Sequence, residues 1–345
     1  MPGAEAQGQP PVPGCRMTDS VTVITPVYNG AATLARCLAP LAEMRRAGEI
    51  AEIIVVDDGS TDDSAALAAE LGARVMSSGG RRGPGAARNV GAAAARGDVL
   101  WFVDADVVVH DDAARVLGDA FRRTGATAVF GSYDDDPPAA NFLSQYKNLV
   151  HHYYHCRGAG AADTFWAGCG AIRRTAFLEA GGFDTVRYPQ PSIEDIELGV
   201  RLSDRGHAIW LAPELLGTHL KAWHLANLLH TEIFRRALPW SRLIQSRPGR
   251  AATLNVTPAE RARALLAIAF AASLPLALVA AVPGWLALAM LAAVLIANRE
   301  LLALFRRRRG AAFAVAGVLF HQVYYLYASA AFAWSSLERA VGRGA

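Results

Sequence analysis

Charge is what this sequence runs short of, and only in one place. Of its 345 residues 19% are charged, with a net charge of +3, yet no charged side chain occurs from Ala264 to Asn298. From Ala311 to Leu337 the ionisable groups are His321 and three tyrosines. No basic run interleaved with aromatics occurs in the first 250 residues, which excludes a nucleic-acid partner. Cysteine is scarce too. Cys15, Cys37, Cys156 and Cys169 show no CxxC spacing, so neither a structural zinc site nor a disulfide framework is indicated, and a reducing compartment is the simplest reading. Met1 to about Asp19 is rich in Pro, Gly, Ala and Gln but has no apolar core segment. It reads as a disordered leader, not a signal peptide.

What is abundant is apolar sequence: 52% of the chain is hydrophobic, and the excess lies at the C-terminal end. Three stretches approach the ~20 residues a bilayer requires: about Ala264 to Val282, Trp285 to Leu304, and Ala311 to Trp334. Arg261 and Arg263 precede the first and Arg306 to Arg309 end the second. The positive-inside rule therefore predicts a multi-pass protein of the inner or plasma membrane, with the N-terminal domain cytoplasmic and the C-terminus outside. Residues 224–260 form a connecting segment. His224 to Gln245 places Leu225, Leu228, Leu229, Ile233 and Leu238 at helical spacing beside Arg235, Arg236 and Arg242. This helix either lies on a membrane surface or packs on the preceding domain, and Pro239 should break or kink it.

Residues 20–223 alternate strands with helices, the pattern of an α/β domain with a mostly parallel sheet covered on both faces. Predicted strands are Val21 to Ile24, Ile53 to Val56, Arg74 to Ser77 and Val99 to Val103. Helices are expected from Thr33 to Ala47 and Gly85 to Arg96, with Ser60 and Asp63 in capping-box spacing ahead of another. In such sheets ligands sit beyond the carboxyl ends of the strands. Tyr28, Asp58, and Asp104 with Asp106 all fall at those ends. Two carboxylates two residues apart in a turn can share one hard divalent cation and leave room for phosphate oxygens. Glycines cluster at Gly168 to Gly170 and at Gly181 and Gly182, marking tight turns.

Four segments come in order: Val23-Ile24-Thr25-Pro26-Val27-Tyr28-Asn29, Ile54-Val55-Val56-Asp57-Asp58-Gly59-Ser60-Thr61-Asp62, Gly85-Ala86-Ala87-Arg88-Asn89, and Asp104-Ala105-Asp106. In order and spacing they resemble the opening of glycosyltransferase family 2, over roughly Val21 to Trp223. The resemblance implies a GT-A fold, a nucleotide-diphosphate-sugar donor, a divalent metal (Mg2+ or Mn2+) and an inverting displacement. It places Pro26, Tyr28 and Asp58 around the base and ribose, Arg88 and Asp104 at the diphosphate, and the metal on Asp104 and Asp106. Asp58 is compatible with uracil, and a UDP-sugar is favoured over a GDP-sugar.

Ser192-Ile193-Glu194-Asp195 precedes the apolar helical run Ile196, Leu198, Val200 and Leu202. By itself this is a capping-box signature. The resemblance makes Asp195 the catalytic base with Glu194 as its neighbour, and an acceptor hydroxyl needs such a base at neutral pH. Thr218-His219-Leu220-Lys221-Ala222-Trp223 resembles the Arg-Trp segment of membrane-bound members without their QxxRW pattern, which argues against a processive synthase. Here His219 is a third metal or diphosphate ligand, and Lys221 and Trp223 stand near the leaving group. Gly168 belongs to a glycine turn on the acceptor side. His151, His152, His155 and Cys156 read as structural or acceptor-lining in preference to a metal cluster. The expected acceptor is a lipid or lipid-linked molecule. The alternatives are polyprenyl-phosphate glycosylation and an inactive nucleotide-sugar-binding membrane protein.

Overall fold

The computed structural model describes residues 19–247, 257–279 and 283–342. Cys15 and most of the expected leader lie outside them. Nine strands form one mixed sheet in the order β3-β2-β1-β4-β8-β6-β9-β5, with β7 on the flank of β9. β1 (Val21–Val27), β2 (Glu52–Asp57), β3 (Arg74–Ser77) and β4 (Val99–Val103) run parallel. β8 (Cys169–Arg173) turns antiparallel between β4 and β6 (Ala128–Tyr133), and β9 (Ile209–His219) is parallel to β6. β5 (Val107–Val109) and β7 (Gly160–Ala162) each pair antiparallel with β9. The domain is thus the expected α/β domain, made mixed by its second half.

β1 is buried along its whole length and β4 likewise, as strands covered on both faces require. Pro26 sits in β1 because β4 pairs with β1 only as far as Ile24. Beyond that point no ladder bond on that side needs the missing N–H. Two apolar clusters sandwich the sheet. One combines Leu34, Leu38 and Leu41 of α1 (Ala31–Arg46) with Val116, Leu117 and Phe121 of α4 (Ala113–Thr124). The other joins Phe102, Phe130, Phe165, Phe177 and Phe183.

Local punctuation differs from expectation at two helix starts. α2 (Ser64–Glu70) begins one residue after Asp63 with no side-chain cap, because Ser60 is used elsewhere: its hydroxyl accepts from Asn29 N at 2.9 Å. α7 (Glu194–Asp204) is capped from Ile193, and Ser192 bonds away from the helix. Neither capping box forms.

The C-terminal third lies against this domain. α5 (Phe142–Arg157) packs Tyr146, Leu149, Val150, Tyr153 and Tyr154 on Leu301, Leu304, Phe305, Ala314 and Val318. The helical stretch expected from His224 to Gln245 is α8 (Leu225–His230), a π-helical turn over Thr231–Ala237, and α9 (Leu238–Gln245). Pro239 disturbs it as predicted. Proline cannot donate to the carbonyl four residues back, here Arg235, and the wider π turn precedes it. The freed Arg235 carbonyl accepts instead from the Ser192 hydroxyl at 2.8 Å.

Three consecutive spans are not laid out. α10 (Pro258–Leu278) is long and apolar enough to cross a bilayer, and α11 (Gly284–Ala297) packs against it. The stretch 285–304 is not one helix: α11 has 14 residues, about 21 Å, against a hydrocarbon core of about 30 Å. α12 (Arg299–Ala340) has helix-length apolar sequence but is broken at Gly310, with φ 85° and ψ 174°. It is tied down on both sides of that break, to the N-terminal domain just before it and to α9 near its end. Arg308 and Arg309 pair with Asp135 and Asp136 just beyond β6, and Glu338 receives two bonds from Arg242 of α9 at 2.8 and 2.9 Å. Between them the Tyr146 hydroxyl meets His321 Nδ1 at 2.8 Å. The end of α12 at Glu338 therefore lies beside α9.

Candidate active site

The strand ends of β1, β2 and β4 open into one cavity of about 1710 Å³. Its donor side is stitched by backbone donors. Asn29 stands in the left-handed region at φ 50°, where Asn is better tolerated than most side chains. Its Oδ1 accepts from Thr61 N at 2.8 Å, while Gly30 N donates to Ser64 Oγ at 2.9 Å, locking the β1–α1 turn to the β2–α2 loop. Pro26 and Tyr28 line the cavity beside it. Asp58 is buried, and its carboxylate accepts from Ser78 Oγ (2.6 Å), Arg82 N (2.9 Å) and Gly83 N (2.8 Å). A carboxylate has about four lone-pair sites. Asp58 therefore shapes the 78–83 loop first and can offer little more than one acceptor to a ligand. Gly83 is required there, since at φ 87° a Cβ would also lie 2.6 Å from Pro189 O.

That loop supplies a group the sequence reading missed. The Arg81 guanidinium lies 4.4 Å from the Tyr28 ring centroid and lines the cavity. The Gly79-Gly80-Arg81-Arg82-Gly83 segment carried the signal, a glycine-rich cationic loop just after β3.

Arg88, expected to face a diphosphate, is engaged differently. It is buried with its guanidinium between Asp104 (2.6 Å) and Glu194 (3.2 Å). It therefore fastens the turn after β4 to the start of α7, joining positions far apart in sequence. Its Nε has no hydrogen-bond partner. Asp106 faces the end of β9, with Oδ2 at 3.5 Å from His219 Nε2. Burial works to raise its carboxyl, but the hydrogen bond and charge of His219 outweigh it and hold the group below the usual carboxylate range. His219 in turn stacks on Tyr133 at 4.2 Å and 7°.

Among the described residues no group of three or more His, Cys, Asp or Glu side chains is assembled for a metal. The two carboxylates would suit a hard divalent cation, Asp104 standing in the same turn as the Asp106–His219 pair and on the cavity although Arg88 bonds one of its oxygens.

Asp195 occupies the first turn of α7. Its Oδ2 accepts from Ala167 N at 3.0 Å and Oδ1 from Ile196 N at 2.8 Å. Burial, and then the adjacent Glu194 charge, push it up to about 6. Glu194 is held by Arg88 and by Ser192 N at 2.9 Å. The paired acids are thus divided, one fixed by an ion pair and one poised near neutrality.

Gly168 stands in the expected turn and lines the cavity, whereas Gly170 departs from it. Gly170 lies within β8, and at Gly168 a Cβ would lie 2.4 Å from the Trp166 indole, so the close approach there is made by the protein itself. Lys221 stands 4.2 Å over the ring of buried Trp223, and both line the cavity. The histidine group on α5 is structural or cavity-lining, as expected. His155 Nδ1 and His152 Nδ1 contact the carbonyls of Gly131 and Tyr133 at 2.8 Å, and His151 lines the cavity between Tyr133 and Trp166. Cys37, Cys156 and Cys169 are free thiols.

Residues 22–181, which carry the β1, β2 and β4 strand ends and Arg88, match the profile of Glycosyl transferase family 2. The domain belongs to that family. The glycosyltransferase GlyG of Streptococcus pneumoniae is 30% identical over 122 residues, 34% of this chain and 40% of its own length. An uncharacterised protein of Mycobacterium tuberculosis is 27% identical over 243 residues, 65% of this chain and 74% of that one. The chain thus spans less than half of the first relative. In fold, the family 2 domain and its C-terminal helices resemble a mannosyltransferase of Pyrobaculum calidifontis solved with GDP-Man and Mn2+. The TM-score is 0.55 at 21% identity over 92% of this chain and 87% of that one. The architecture is accordingly GT-A.

Proposed function

We propose that the protein is an inverting, divalent-metal-dependent glycosyltransferase acting on a lipid-linked or membrane-associated acceptor. The observation that carries this is the meeting of Asp104, Asp106 with His219, and Asp195 on one cavity whose far wall is formed by the C-terminal apolar helices. The donor's nucleotide lies along Pro26, Tyr28 and Arg81, with the edge of its base at Asp58. Asp104 and Asp106, with His219 beside them, would hold Mg2+ or Mn2+, which when bound would supply charge stabilisation to the diphosphate. Lys221 adds a fixed positive charge on the same side.

The acceptor oxygen attacks the anomeric carbon as the bond to the diphosphate breaks, and Asp195 takes the acceptor's proton. A base that titrates near 6 is ionised at neutral pH without being too weak to accept. Arg88 and Glu194 position it. A UDP-sugar remains the favoured donor, because a pocket edge with about one free carboxylate acceptor suits the single imide N–H of uracil.

Membrane attachment falls to the α10–α11 hairpin, where Leu274, Leu276, Leu278, Trp285 and Leu288 are exposed. The basic residues beside it favour a cytoplasmic catalytic face. The test is a panel of UDP- and GDP-sugars incubated with membrane extract, with and without Mn2+. Metal-dependent transfer is expected. Donor binding with neither transfer nor hydrolysis would leave only a nucleotide-sugar-binding protein, and full activity of both Asp104→Ala and Asp106→Ala would remove the metal assignment.

A further inference from the structure

The cavity is larger than its donor requires. Sites for one small ligand or cofactor typically enclose about 300–1,000 Å³, and this one measures about 1710 Å³. Beyond Asp195 it continues past α5 and the π turn into the space between α10 and α12, and its lining changes character on the way.

Next to the reacting groups the wall consists of hydrogen-bond donors. Lys147 Nζ and Arg236 Nη1 share Glu232, at 2.7 and 2.9 Å, which those two cations hold down at about 2 despite burial. Lys221 also acts on Lys147 and Asp195 on Arg236, so three cations face two carboxylates and the cluster is positive, and the Arg236 side chain remains 46% exposed. Trp223 is 3% exposed, and its indole N–H has no partner, nor has that of Trp240; both rings line the cavity. Buried indole N–H groups ordinarily find acceptors, so two without one on the same cavity as a cationic pair describe a wall suited to a group rich in acceptor oxygens.

Further on, the lining is Ala264, Leu265 and Ile268 of α10 facing Ala328, Phe332 and Ala333 of α12. The one acid there, Glu260, is occupied by the hydroxyls of Tyr154 and Tyr325 and by Arg263. Leu265 and Ile268 are themselves 68% and 43% exposed, so this arm opens onto the apolar flank of the hairpin.

We infer that this arm is the binding site of a long-chain lipid with a phosphate headgroup. The phosphate sits at Lys147, Arg236, Trp223 and Trp240, and the hydrocarbon chain runs between α10 and α12 toward the bilayer. The inference deepens the transferase reading by naming the carrier that brings its acceptor hydroxyl, a phosphate-headed lipid, and rests on that reading only for the lipid's purpose.

The experiment uses the full chain in phosphatidylcholine nanodiscs and dodecyl phosphate carrying a diazirine at the chain end, with crosslinks mapped by peptide mass spectrometry. Labels are expected at 264–268 and 328–333. Dodecyl phosphate should compete, and butyl phosphate at least a hundredfold less well, since each buried methylene contributes roughly fourfold. Dodecanol and inorganic phosphate should fail to compete at the same concentration. Ala328→Trp should cut labelling at least tenfold in protein whose near-UV circular dichroism is unchanged, and Arg236→Gln severalfold.

Labelling confined to the outer faces of the hairpin would overturn the site, as would equal competition by dodecanol or no effect of Ala328→Trp. Should that variant fold poorly, the competition series on the unaltered chain decides. Sugar transfer is scored separately: labelling as expected without any transfer removes the enzyme and keeps the lipid site, and transfer without such labelling does the reverse.

Discussion

The two sides of the cavity are built on different plans. The donor side is a set of short loops at parallel strand ends, and its polar side chains are consumed in holding those loops: Asn29 by Thr61, Asp58 by three donors, Arg88 by two carboxylates. The far side is assembled from the segment after β9, α5, the π turn, α9, α10 and α12, and there the buried indole N–H groups of Trp223 and Trp240 stand without partners, whereas on the donor side Arg88 leaves only its Nε unpartnered. Side chains spent on their own loops make a rigid receptor that presents backbone and aromatic faces. Unspent donors make a site whose hydrogen bonds are completed by what binds. The comparison suits a constant nucleotide on one side and a substrate that arrives from lipid on the other.

Asp195 belongs to the line between the two sides, and its loss should have the largest effect. Asp195→Asn is expected to lower the transfer rate by roughly 10²–10⁴-fold while leaving the donor's Kd within a factor of two or so, measured by titration of the nucleotide. In the unaltered enzyme the ionised form is the active one. The rate should therefore rise with pH through about 6 and level off above it, and that limb should vanish in the variant. A rate independent of pH between 5 and 8 would remove Asp195 from the chemistry.

Next in size is the tie across the donor side. Arg88→Met leaves Glu194 buried opposite no cation, and removing one partner of a buried pair costs about 3–5 kcal/mol. Denaturant unfolding should show most of that loss, discounted because Asp104 retains access to the cavity. Arg88→Met combined with Glu194→Gln should recover part of it. A variant as stable as the parent would mean that the donor side is less rigid than its bonding suggests.

His219→Ala should separate metal binding from folding. We expect the Mn2+ concentration needed for half-maximal activity to rise about tenfold or more, as loss of a metal-site group commonly does, with no change in nucleotide affinity in the absence of metal. The smallest effect concerns the far side's frame. Ser192→Ala removes the hydroxyl that satisfies the Arg235 carbonyl and should cost about 1 kcal/mol. Pro239→Ala restores a competing donor to the same carbonyl, so the two changes should be non-additive in a double-mutant cycle on stability.

Much of the first half of the fold was legible along the chain because each unit is local. A β-branched run, a turn and an amphipathic helix announce themselves within about twenty residues, and β3 and β4 have the predicted limits. The capping boxes misled because the serines had better partners in space than in sequence. At the C-terminal end hydropathy reported apolar sequence faithfully but not its geometry. Asn298 interrupts the second expected span and Gly310 falls between the second and the third, and whether an apolar helix leaves the domain or lies along it depends on side chains such as Arg309 and Glu338 finding partners elsewhere.

The sequence by itself determined the α/β alternation, the strand-end placement of Tyr28, Asp58, Asp104 and Asp106, and the apolar C-terminal region, all of which follow from patterns within a few turns of chain. Only the tertiary structure decided which charges are free. Arg88 meets Asp104 and Glu194 across 16 and 106 residues, Lys147 meets Glu232 across 85, and Tyr146 meets His321 across 175. The physical reason is that a charge becomes a ligand, a strut or a base according to its neighbours and its exposure to water, and both are set by chain folding over distances that no local pattern records.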